Sequence, residues 1–65
     1  MGDLIRKLRE QLGMTQEELA NKSGVSRQTI SSLESGKSKN ILTGTLASIA
    51  TALGTTVDYF FTKSV

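Results

Sequence analysis

The sequence predicts an all-α fold, a compact five-helix domain over residues 1–65. Three observations carry that reading. Apolar residues recur at helical spacing along most of the chain, and alternating strand patterns are absent. Short polar residues suited to helix caps stand just ahead of several apolar runs. Glycines stand just past the ends of those runs, where helices stop.

Leu4, Ile5, Leu8 and Leu12 mark the first helix, which Gly13 stops. Thr15-Gln16-Glu17-Glu18 is a capping box, in which the threonine hydroxyl accepts a backbone N–H while Glu18 reaches back. Leu19 and Ala20 form the apolar stripe of this short second helix, and Gly24 ends it. Ser26 caps a third helix running to about Glu34, closed by Ser35-Gly36. Lys37 to Gly44 reads as a loop. A fourth helix carries Leu46, Ile49, Ala50 and Leu53 before Gly54, and a fifth, capped by Thr56, carries Val57, Phe60 and Phe61. Helical neighbours diverge by about 100°. Tyr59, Phe60 and Phe61 therefore cannot all face inward, and at least one is expected to be partly exposed as a dimer contact. Without repeats or linkers, the chain reads as one domain.

Composition removes whole classes of function. A chain of 65 residues builds a core that supplies only ~3–5 kcal/mol. There is no cysteine for a disulfide or thiolate site, and no histidine to act as metal ligand or general base. No metal, cofactor or catalytic residue is expected, and serines without a histidine partner make no triad, so the chain reads as no enzyme. The hydrophobic fraction of 37% suits a globular chain rather than a disordered or membrane one. No apolar run approaches the ~20 residues of a membrane span, and no signal-peptide core is seen, so the expected compartment is the cytoplasm.

Charge is unevenly spread. Residues 1–21 set Arg6, Lys7 and Arg9 against Asp3, Glu10, Glu17 and Glu18. Residues 22–40 set Lys22, Arg27, Lys37 and Lys39 against Glu34 alone. The positive charge therefore gathers around the third helix, as on a surface that meets phosphates or on a merely solvated basic face.

Only Ser23-Gly24-Val25-Ser26 links the second and third helices, and a turn this short containing glycine is the mark of a helix-turn-helix. At 100° per residue, Ile30, Leu33 and Glu34 fall on one side of the third helix. Gln28 and Ser32 fall opposite, flanked by Thr29 and Ser31, and Arg27 projects from the start. A helix entering the DNA major groove, about 12 Å wide, needs small side chains along its outer face and fork-like donors at its front. Arginine matches guanine O6 and N7, and glutamine matches adenine N6 and N7.

The runs Thr15-Gln16-Glu-Glu-Leu19-Ala20, Gly24-Val25-Ser26 and Ile30-Ser-Ser-Leu33-Glu34-Ser-Gly36-Lys37 resemble the phage repressor and Cro-like helix-turn-helix family. Leu53-Gly54-Thr-Thr-Val57-Asp58 resembles that family's junction of fourth and fifth helices, so the likeness covers nearly the whole chain. The resemblance implies a sequence-specific double-stranded DNA-binding protein, a transcriptional regulator and most commonly a repressor, acting as a homodimer on a palindromic operator. By position it implies base contacts from Ser26, Arg27, Gln28 and Ser32, with Thr29 and Ser31 as candidates for a base or a phosphate. Thr15, Gln16, Lys37, Lys39 and Asn40 would hold phosphates, a role that the positive end of a helix also favours at Gln16. Arg9 and Glu34 match an internal salt bridge of the family. The loop Lys37–Gly44 is slightly longer than is usual there and lacks the proline that many members carry. No small-molecule ligand is expected. The other reading is a protein-interaction module on the same fold, such as an antitoxin or adaptor, for which a neutral or acidic third helix would have spoken.

Overall fold

Caps and apolar spacing resolve into five helices among the described residues: α1 (Gly2–Gln11), α2 (Gln16–Ser23), α3 (Arg27–Ser35), α4 (Thr43–Ala52) and α5 (Val57–Lys63). The computed structural model describes residues 2–37 and 42–63, the last three by backbone alone. No strand occurs among them, and no helix is long and apolar enough to cross a membrane.

The end of α1 corrects one expectation. Gly13 donates its N–H to the Glu10 carbonyl (3.0 Å) and Met14 donates to the Arg9 carbonyl (2.9 Å), the two bonds of a Schellman ending. Leu12 thereby becomes the last, half-helical residue and is 55% exposed, so it does not belong to the apolar stripe. Met14, just past the reversal, packs against the core instead.

In α2 both halves of the capping box are made. Glu18 donates its backbone N–H to Thr15 Oγ1 at 3.0 Å, and Thr15 donates its own to Glu18 Oε1 at 3.0 Å. Gly24 then takes φ 75°, a left-handed conformation that side chains other than glycine's resist, and returns its N–H to the Ala20 carbonyl. Val25 donates to Ser23 Oγ (3.2 Å), and Ser26 Oγ accepts the Thr29 N–H (3.2 Å) to start α3. Ser23, expected in the link, is the last residue of α2, so three residues, Gly24 to Ser26, suffice to turn one capped helix into the next.

Helix α4 begins earlier than its sequence suggested, taking in Thr43 and Gly44 from the expected loop. Its cap position is held by Leu42, which has no side-chain acceptor, so the hydroxyl signal that marks other starts is missing. The Leu42 carbonyl accepts the Leu46 N–H (2.9 Å), and backbone bonding alone sets the boundary.

Helix α3 packs on α1 and α2, α2 also meets α4, and α4 meets α5. The core between them holds Ile5, Leu19, Ile30, Leu33, Leu46, Ile49 and Phe60, with Ala50, Ala52 and Leu53. Tyr59 is half-buried, its ring edge-on to Phe60 at a centroid distance of 5.7 Å, while the Phe61 side chain lies outside the described residues. Gly2 marks a close approach that apolar spacing did not signal. A Cβ there would overlap the carbonyl oxygen of Leu33, so the start of α1 rests directly on the backbone of α3.

One charge is buried among these apolar groups. Glu34 is 8% exposed, next to Leu33 on the inner face of α3. Arg9 donates Nε to Glu34 Oε2 at 2.8 Å and Nη2 to Oε1 at 3.0 Å, a two-pronged pair spanning α1 and α3. Arg9 Nη1 donates to the Met14 carbonyl at 2.8 Å, tying the turn after α1 to the same pair. The hydrogen bond to Glu34 holds the guanidinium above the already high range of a free arginine, against burial, which would lower it. The arginine's contribution is therefore fully present below its ordinary titration range and is lost only above it. Arg9→Ala should cost ~3–5 kcal/mol by stranding the carboxylate, whereas Lys7→Ala, at an exposed site, should change stability by less than ~0.5 kcal/mol. Denaturant unfolding of the two variants measures this, and equal midpoints would show the pair to be no more than a surface contact.

Candidate nucleic-acid interface

With Ile30, Leu33 and Glu34 turned inward, α3 leaves a surface of small polar side chains. Arg27, Gln28, Thr29, Ser31 and Ser35 are exposed and Ser32 is half-buried. Gln16, Arg27, Gln28, Ser31, Ser32, Ser35 and Lys37 together line an open depression of about 480 Å³ between the start of α2 and the outer side of α3. No carboxylate lines it, while Arg27 at the start of α3 and Lys37 just past its end both do. The acid of this helix, Glu34, is turned away and paired.

The side chains singled out from sequence divide into groups. Arg27, Gln28, Ser31 and Ser32 share the depression with Gln16 and Lys37. Ser26 and Thr29 sit at its front edge in sequence and engage each other, with their hydroxyls 2.8 Å apart and Ser26 Oγ accepting the Thr29 N–H. One hydroxyl hydrogen suffices for that contact, which leaves the other able to donate outward. Thr15 Oγ1 accepts the Glu18 N–H, and its own hydrogen remains. Lys39 and Asn40 lie outside the described residues.

Two features were missed from sequence. Ser35 lines the depression, its hydroxyl donating back to the Ser32 carbonyl at 3.1 Å. Gln16, at the first position of α2, donates Nε2 to Glu34 Oε1 at 3.2 Å, so the lip of the depression is bonded to the buried ion pair. No local pattern signals a bond across 18 positions, and the resemblance implied a phosphate role for Gln16 and an internal pair for Glu34 without joining the two.

A helix-turn-helix family model matches residues 5–60. Among curated proteins, an uncharacterized HTH-type transcriptional regulator of Methanothermobacter thermautotrophicus is 60% identical over 37 residues, 57% of this chain and 54% of its own length. Another so described, from Archaeoglobus fulgidus, is 64% identical over 33 residues, 51% of this chain and 47% of its own. The uncharacterized HTH-type transcriptional regulator y4dJ of Sinorhizobium fredii is 44% identical over 54 residues, 83% of this chain and 69% of its own. The chain thus spans about half the length of the first two of these relatives. The capped α2 and α3, their three-residue turn and a match running from α1 into α5 lead to one conclusion: the chain belongs to the Cro/C1-type helix-turn-helix family.

Proposed function

We propose that this chain binds double-stranded DNA sequence-specifically, with α3 in the major groove, and regulates transcription. The observation that carries the reading is the outer surface of α3: Arg27 and Gln28 at its front, serines along it, and no carboxylate in the depression they line. Short side chains let the helix backbone approach the bases, and the forked donors at the front match purine edges. Names carried by the relatives, HTH-type transcriptional regulators, agree with this use.

In this reading Arg27 pairs with a guanine and Gln28 with a neighbouring base, while Ser26 and Ser32 touch base edges or their methyl groups. Thr29 and Ser31 fill in at a base or a phosphate. Thr15, Gln16, Lys37, Lys39 and Asn40 hold the backbone. Glu17 stands in the first turn of α2 and offsets part of its positive end, so the Gln16 side chain matters more for that grip. One helix reads too few bases for a single genomic site. The working form is therefore a homodimer, paired through residues near Thr55 to Phe61, on a palindrome whose half-sites lie ~10 bp apart. Its role is repression, in the cytoplasm.

Selection of bound duplexes from a random pool tests the reading. A two-fold-related motif should emerge; a single half-site occupied by one protomer would remove the dimer, and no enrichment would favour a protein-interaction module such as an antitoxin or adaptor.

The division between reading and holding is measured separately, by titrating selected and random duplexes over a salt series. Arg27→Ala and Gln28→Ala should each cost ~1–3 kcal/mol per half-site and relax selectivity at one or two positions. Lys37→Ala should weaken all duplexes alike and flatten the salt dependence by about one unit per half-site. If Arg27→Ala weakens selected and random duplexes equally with the preferred sequence unchanged, Arg27 is a phosphate ligand.

A further inference from the structure

The hydrogen bond from Gln16 Nε2 to Glu34 Oε1, 3.2 Å, joins the lip of the depression to a buried carboxylate. Both carboxylate oxygens of Glu34 already accept N–H groups from Arg9, and Glu34 serves as an acceptor on each. The amide nitrogen of Gln16, and not its oxygen, must therefore face inward. What remains for a ligand is one N–H and the carbonyl oxygen, held beside Arg27, Gln28 and Ser32.

We propose that Glu34 is a positioning residue for DNA binding, which acts through Gln16 by fixing its side chain with the second N–H presented to a DNA phosphate. The proposal rests on the DNA-binding reading above. A free glutamine side chain has three rotatable bonds and loses their freedom when a ligand immobilises it; a side chain already held loses less. Two properties suit Glu34 to the task. It is buried and bonded to α1, so its position does not depend on the DNA. Its charge is balanced by Arg9 at 2.8 Å, so it can orient Gln16 toward a phosphate without adding net negative charge beneath it. The buried pair would thus serve both the fold and the grip on DNA.

Two measurements test this. In the native chain without DNA, NMR should show one Gln16 side-chain amide proton exchanging with solvent more slowly than those of the exposed Gln28. The second compares affinities for the duplex found by selection. Gln16→Ala should weaken the native chain roughly tenfold, the scale of a hydrogen bond to a charged group. In the Arg9→Met/Glu34→Leu background the inner acceptor is gone, and apolar replacement of a buried pair commonly keeps the fold. That background should itself bind about tenfold more weakly, and adding Gln16→Ala should then cost less than about twofold. Equal losses from Gln16→Ala in both backgrounds, or a Gln16 amide that exchanges as fast as that of Gln28, would overturn the positioning role while leaving DNA binding intact. Should the background variant not fold, the amide exchange of the native chain decides alone. A native chain that binds no duplex would overturn the DNA-binding reading itself.

Discussion

A buried carboxylate paired with a guanidinium constrains everything around it. Taking Glu34 out of water costs several kcal/mol, as much as the whole core of a domain this size supplies. The cost is offset only while its oxygens are met, and the donors come from two other segments: Arg9 on α1 and Gln16 at the start of α2. Arg9 also reaches the Met14 carbonyl, which brings in the turn between those helices. Apolar packing is non-directional and would tolerate small slides of one helix on another. Hydrogen bonds to a buried charge do not, because each broken one leaves the charge uncompensated. The relative pose of α1, α2 and α3 is therefore held by polar geometry laid over the apolar core.

That geometry bears on the outer surface as well. Turning Glu34 inward leaves α3 with an exposed face of arginine, glutamine and hydroxyl side chains. The Gly24 turn, with Ser26 capping α3, fixes where that face begins relative to α2. In the proposed mode of binding, a reading helix and a phosphate-holding helix end are useful together only at a fixed spacing, since phosphate contacts set the register in which bases are read. In this chain the spacing and the stability share one buried pair.

How much of this could be read from the residues follows how local each signal is. Helices α2 and α3 were legible because caps, stripe and stop lie within a few positions: Thr15 with Glu18, Ser26 with Thr29, Gly24 between. The burial of Leu19, Ile30, Leu46 and Phe60 followed from spacing. The start of α4 was not legible, because Leu42 carries no capping side chain. Leu12 kept the helical rhythm yet fell at the reversal before Gly13, where the rhythm no longer describes the chain. The approach of Gly2 to Leu33 and the bond from Gln16 to Glu34 arise only when distant segments meet, and no local periodicity carries them. The pairing of Arg9 with Glu34, 25 positions apart, came from the family resemblance and not from spacing. The face of α3 was legible from 100° per residue, whereas its partner in the depression, Ser35, was overlooked because it was counted with the helix stop.

Entry of α3 into the major groove is tested most directly by methylation interference on the selected duplex. Dimethyl sulfate marks guanine N7 in the major groove and adenine N3 in the minor groove. Methylation at guanine N7 within each half-site should exclude the duplex from the bound fraction, and adenine N3 methylation there should not. Interference confined to adenine N3, or none at either position, would contradict a major-groove reading by Arg27 and Gln28.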